Sequence, residues 1–153
     1  MNDEKYMKCA IEEAQLAVAT GDIPVGTVIV CGGKIIARGH NTREAVGCAD
    51  GHAELTAIRE ASKKLGGWRL AGCTIYVTLE PCTMCAGAIL ESRIERVVFG
   101  AKDPTAGAFG SVLNVNSYPL GKRPSVSHGV LESECSELLR DFFAKMRAAK
   151  PQS

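Results

Sequence analysis

The sequence predicts a three-layer α/β/α domain built around a mixed β-sheet. Three observations carry that expectation. The chain opens with apolar residues at helical spacing, continues into two β-branched runs joined by Gly32-Gly33, and then alternates helical with extended segments up to a striped final helix. At 153 residues it is long enough for one genuine core. No internal repeat, linker or composition break divides it, so a single domain over 1–153 is expected.

From about Asp3 to Thr20, Met7, Ala10, Ile11, Ala14, Ala17 and Val18 recur at helical spacing, and Gly21 supplies the stop. Val25 to Val30 is a β-branched run, Cys31-Gly32-Gly33-Lys34 is a turn, and Ile35 to Arg38 resumes extended structure; together they predict a hairpin. His40 to Gly51 is polar and irregular, and loops in such positions commonly carry substrate contacts. A second helix places Leu55, Ile58, Ala61 and Leu65 on one face and stops at Gly66-Gly67. Cys73 to Leu79 reads as a buried strand, about Cys82 to Ser92 as a helix begun by Pro81, and Arg96 to Gly100 as a further strand. Asp103 to Gly129 is rich in Gly, Pro, Ser and Asn, with a short strand near Ser111 to Val115. In the last helix Leu131, Cys135, Leu138, Leu139, Phe142, Phe143 and Met146 form one apolar stripe. That stripe would pack on the domain and leave Arg140, Lys145, Arg147 and Lys150 facing outward.

Composition excludes several classes of function. Hydrophobic content of 46% with 23% charged residues is ordinary for a soluble globular protein. No apolar run approaches the roughly 20 residues of a membrane span, so no membrane partner is expected. The start, Met1-Asn2-Asp3-Glu4, is acidic and polar, which is wrong for a secretory signal. A net charge of +1 gives no general pull towards nucleic acid, so any such affinity must come from a local patch.

The chemistry concentrates between His52 and Cys85. The segment opens with His52-Ala53-Glu54 and closes with Pro81-Cys82-Thr83-Met84-Cys85. One imidazole and a Cys-x-x-Cys pair make three ligands suited to Zn²⁺. A structural zinc site wants four protein ligands, whereas a catalytic one keeps the fourth position for water. Helices beginning near His52 and Cys82 would set both ligand groups at positive helix ends, which favour the thiolate form. Glu54, two residues from the histidine, then suits a general acid/base that moves a proton from water to a reacting heterocycle. Cys9, Cys31, Cys48, Cys73 and Cys135, the remainder of an odd count of seven, read as reduced thiols in a cytoplasmic protein.

With these segments in place, the sequence resembles the bacterial tRNA-specific adenosine deaminases of the cytidine-deaminase-like superfamily. The likeness covers about residues 5 to 148. It rests on G-D-I-P-V-G (Gly21 to Gly26), R-G-H-N (Arg38 to Asn41), H-A-E, W-R-L (Trp68 to Leu70), Y-V-T-L-E-P-C-T-M-C-A-G-A (Tyr76 to Ala88), R-I-E-R-V-V-F-G-A-K-D (Arg93 to Asp103) and G-A-F-G-S (Gly107 to Ser111). The resemblance implies a five-stranded mixed sheet, one Zn²⁺ per subunit, a homodimer, and conversion of adenosine to inosine at the wobble position of a tRNA anticodon stem-loop. Residue by residue, it implies His52, Cys82 and Cys85 as metal ligands and Glu54 as proton shuttle. It sets Asn41 and the Ala53 backbone N–H against the flipped purine, and Asp103 in the loop around the RNA backbone. On residue type alone, Asn41 is as well a turn residue and Asp103 an exposed loop aspartate.

Two segments depart from the family's wording. Cys48-Ala49-Asp50-Gly51 stands where the family reads something like D-P-T-A, and Lys122-Arg123-Pro124-Ser125 also differs. Cys48 as a fourth ligand would abolish the water site. Two other functions compete: deamination of free nucleobases or nucleosides of the guanine or cytosine type, and a non-catalytic zinc-stabilised module. Glu54 argues against the module, which needs no acid/base group. The basic positions of the last helix argue for RNA, whose phosphates they could meet, although a solvated helix face would carry the same charges.

Overall fold

The computed structural model describes residues 2–119, 121 and 123–149. Helix α1 (Asp3–Ala17) runs into a 3₁₀ turn at Val18–Thr20 and ends at Gly21, in the left-handed conformation that closes a helix. Strands β1 (Gly26–Cys31) and β2 (Lys34–His40) follow as the expected hairpin. Both turn glycines have positive φ, 59° at Gly32 and 75° at Gly33, as a two-residue turn between twisted strands demands. The irregular stretch after β2 holds one short helix, α2 (Arg43–Val46). Helix α3 (Ala53–Leu65), β3 (Cys73–Leu79), α4 (Thr83–Glu91) and β4 (Arg96–Ala101) then alternate, and β5 (Ser125–His128) and α5 (Glu132–Ala149) complete the order.

The five strands form a mixed sheet in the order β2-β1-β3-β4-β5. The β2-β1 and β1-β3 pairs are antiparallel, and β3-β4 and β4-β5 are parallel. Alternation along the strands divides the core into two layers. Val28, Val30, Tyr76 and Val98 face α1 and α5 through Met7, Ala10 and Cys135. Ile29, Ile75, Val77, Val97 and Phe99 lie in the layer with Ala57 and Ala61 of α3 and Ala86 and Ile89 of α4. A polar clamp fastens α1 to the sheet. Arg96 grips the Asp3 carboxylate with two bonds of 2.8 Å and Tyr76 donates to it at 2.8 Å. The Arg96 guanidinium beside it, reinforced by the Tyr76 hydroxyl, overcomes burial and holds the Asp3 carboxyl below its usual range.

Three expectations are corrected. On α3 the inward face is Ala53, Ala57 and Ala61, while Leu55 and Ile58 are only half-buried and Leu65 is exposed. The helix lies too close to β2 for leucine: at Gly39, the space a Cβ would need is taken by the Ala53 carbonyl, the Ala57 nitrogen and Thr56 Cβ. The fifth strand is Ser125–His128, not Ser111 to Val115, where Phe109 and Asn114 make an isolated bridge and Val115–Ser117 is a 3₁₀ turn. Only Val126 is strongly apolar in β5, so its extended form comes from pairing with Arg96–Phe99 rather than from a sequence period. In α5, Cys135 packs against Gly100 and Phe142 is buried, but Phe143 and Met146 are 40% and 45% exposed. Arg140, Lys145 and Arg147 are exposed as expected, and Lys150 lies outside the described residues.

Candidate metal centre and active site

Two helix N-termini converge on one point. His52 is the N-cap residue of α3 and Cys82 that of α4, with Cys85 in the first turn of α4. His52, Cys82 and Cys85 are the one group of three metal-ligating side chains found together among the described residues. Their ligand atoms lie within 4.8 Å of one another. Cys82 Sγ is 3.6 Å and Cys85 Sγ 3.4 Å from His52 Nδ1. A tetrahedral zinc ion with Zn–S bonds near ~2.3 Å and Zn–N bonds near ~2.0 Å spaces nitrogen and sulfur ligands about 3.5 Å apart, so donor types and spacing both fit zinc. Cys48 is exposed and stands outside this group.

The electrostatics suit a cation. A hydrogen bond from Cys85, seconded by His52, pulls the Cys82 thiol down to about 3 against the effect of burial. The same bond pushes Cys85, its donor, upward, and the Cys82 partner raises His52. Glu54 points into the same space and is 3% exposed. Burial pushes its carboxyl up to about 7, in spite of the nearby His52 and a hydrogen bond from Cys85. A carboxyl near neutrality can both take up and release a proton, as an acid/base group must.

The loops around the cluster are bracketed by buried carboxylates. Asp22, in the G-D-I-P-V-G motif, accepts from the Thr20 hydroxyl and from the Glu44 and Ala45 amides at 2.7 and 3.2 Å, which fixes the start of α2. Glu80 was not anticipated from sequence. It is 2% exposed and accepts from the amides of Asp103, Phe109 and Ser111 at 3.0–3.1 Å and from the Ser111 hydroxyl. Burial would raise the Glu80 carboxyl, but these donors, Ser111 foremost, outweigh it and hold it low. Gly107 lies so close to this carboxylate that no side chain fits there. With Ala108 N–H donating to the Pro81 carbonyl at 2.9 Å, residues 103–111 are fastened to the segment that delivers Cys82.

The remaining expected residues fall around this centre in different ways. Asn41 is buried, and its Oδ1 accepts the Ala53 N–H at 3.0 Å. That bond uses the Ala53 donor inside the protein, with the Asn41 oxygen as its acceptor. Beside Asn41 opens a hollow of about 170 Å³, lined by Ile23, Arg43 and, from α5, Phe142, Phe143 and Met146. The exposed part of the α5 stripe therefore borders the hollow beside Asn41. Asp103 accepts from the Thr105 and Ala106 amides and so shapes its own turn. In the departing segment, Asp50 pairs with Arg59 at 2.9 Å on the surface, and Gly51 leaves no room for a Cβ against Arg43.

Comparison with known proteins decides the family. Residues 1–101 match the model of the cytidine and deoxycytidylate deaminase zinc-binding region. The chain belongs to this deaminase family. The deaminase is 50% identical over 149 residues to the tRNA-specific adenosine deaminase of Bacillus subtilis (strain 168), covering 97% of this chain and 92% of that one. It superposes with a TM-score of 0.86 and 43% identity on a structure from studies of A-to-I editing by tRNA:A34 deaminases at the wobble position of transfer RNA. That match covers 88% of the deaminase and 99% of the other chain. A guanine deaminase from Bacillus subtilis is more distant, with a TM-score of 0.64 and 30% identity over 100% of this chain and 99% of that one.

Proposed function

We propose that this deaminase converts adenosine to inosine at the wobble position of a tRNA anticodon by zinc-dependent hydrolysis. The observation that carries the chemistry is Glu54, a buried carboxyl set close to three soft and borderline ligands at two helix ends. Half-identity to a tRNA-specific adenosine deaminase over nearly the whole chain supports the substrate, against 30% for the guanine deaminase.

His52, Cys82 and Cys85 would hold one zinc per subunit. When bound, zinc supplies the Lewis acidity that lowers the pKa of water towards about 7. Glu54 accepts a proton from the attacking water and delivers it to the purine ring, and oxygen replaces the amino group, which leaves as ammonia. Asn41 offers its amide nitrogen to the purine, while its oxygen holds the Ala53 amide and so the start of α3. The loop carrying Asp103, stiffened by Glu80, forms a wall of the RNA site. A groove of about 310 Å³ lined by Lys102, Arg140 and Arg147 gives the surface a local basic strip on a chain of net charge +1, suited to phosphates. No helix among the described residues is long and apolar enough to cross a membrane. A single-domain homodimer acting in the cytoplasm completes the reading.

The test compares purified protein on an anticodon stem-loop with free adenosine, guanine and cytidine. Inosine confined to the wobble position of the stem-loop is expected. Efficient ammonia release from free guanine with an untouched stem-loop would transfer the protein to the small-molecule deaminases.

A further inference from the structure

Seven cysteines leave five outside the metal cluster, and two of these face each other. Cys31 ends β1 and Cys73 begins β3, and they are direct partners in the antiparallel register. Their backbone relation is decided by hydrogen bonds elsewhere. The Cys73 carbonyl accepts from the Glu95 amide and its N–H donates to the Leu70 carbonyl, so neither bonds to β1. Cys31 and Cys73 are therefore a non-hydrogen-bonded pair, the kind with Cα atoms about 4.5 Å apart and side chains adjacent. A disulfide needs Cα atoms roughly 4.4–6.8 Å apart. Both side chains pack in the core layer shared with α3 and α4, where the Cys73 thiol donates to the Ala71 carbonyl at 3.9 Å. Cys73 is fully buried, Cys31 only partly, and both are free thiols.

We propose that Cys31 and Cys73 are a redox-modification site, closing into a reversible cross-strand disulfide by exchange with a low-molecular-weight disulfide. Cys31, the accessible member, attacks one sulfur of that disulfide, forms a mixed disulfide and releases the first small thiol. Cys73 then loses its proton and attacks the Cys31 sulfur, which forms the protein disulfide and releases the second. Two protein thiols are oxidised and one small disulfide is reduced to two thiols, so electrons and protons balance. The order of attack follows from environment: burial, the Cys31 partner and Glu95 push the Cys73 thiol up to about 12, so it serves as resolving rather than entering thiol. The bond would sit at the opposite end of β3 from Leu79, about 20 Å along the strand from the residues leading to Cys82, so the metal ligands need not move.

The experiment treats zinc-loaded protein with oxidised glutathione and maps peptides without reduction. A Cys31–Cys73 cross-link reversed by dithiothreitol is expected, with unchanged zinc content and a melting temperature raised by about 5 °C or more. Cys73→Ala should stop at a glutathione adduct on Cys31, and Cys31→Ser should leave Cys73 unmodified. The proposal is overturned if wild-type protein accumulates adducts at Cys31 without linking to Cys73, or is modified at exposed Cys48 alone. None of these readouts depends on which substrate is deaminated.

Discussion

Glu54 and Gln have nearly the same shape, but the amide cannot exchange the proton that the proposed reaction moves. Glu54→Gln should therefore keep its zinc and lose at least about 100-fold in turnover. Metal analysis and inosine formation on the stem-loop check both halves, and near-normal turnover would assign the proton to another group. The sequence pointed to Glu54 and to the side chains that cluster at His52, Cys82 and Cys85 because each sits within a short motif, His-x-Glu or Cys-x-x-Cys, whose spacing is itself the signal. Glu80 carries no such mark. Its partners Asp103, Phe109 and Ser111 lie 23 to 31 positions away, and a glutamate beside a proline reads as surface until the fold closes around it. Asn41 was only half legible. The resemblance implied a purine contact where residue type alone suited a turn equally well, and the fold alone shows its oxygen already engaged by Ala53.

At the scale of helices and strands, α1 is joined to β4 by the Asp3–Arg96 clamp, and the clamp is titratable. Asp3 binds its proton more weakly in the folded chain than its ordinary value of 3.8. Its contribution is therefore complete above that ordinary value and disappears as pH falls through the lower folded value. Asp3→Asn should cost about 2 kcal/mol near neutrality, the scale of a charge-assisted pair. The gap to wild type should narrow as pH falls below about 4, measured by urea unfolding across pH. The exposed end of α5 makes a separate claim. If Lys145 and Arg147 meet phosphates, alanine at both should reduce the slope of log affinity against log salt by up to about 2, with fold and zinc unchanged. Identical slopes for the two proteins would make those charges a solvated face. Helix α1 was legible because Met7, Ala10, Ala14 and Ala17 bury at helical spacing along it, and β3 because its apolar run is buried almost throughout. The inward face of α3 was not, because the closeness of Gly39 lets alanines, rather than the larger Leu55 and Leu65, fill the interface. Strand β5 was not either, since two serines and a histidine become a strand only beside β4.

For the molecule as a whole, the metal cluster joins α3 to α4 where their N-termini meet. Removing a ligand should thus cost stability as well as chemistry. Cys85→Ser is expected to lose zinc and to melt lower than wild type, and a chelator should lower the wild-type melting temperature towards the variant's. A chelated protein that melts unchanged would separate the cluster from the fold's stability. The strand order β2-β1-β3-β4-β5 bears on how the molecule is made on the ribosome. The first 40 residues already contain a helix and the hairpin it packs on, and every later strand is added at the same open edge, β3 beside β1, then β4 beside β3 and β5 beside β4. A chain emerging N-terminus first never has to prise apart a formed pair to insert a strand. The growing sheet exposes one fresh edge at a time, and β5, the last strand synthesised, becomes that edge, with α5 still to emerge and cover the face it leaves open.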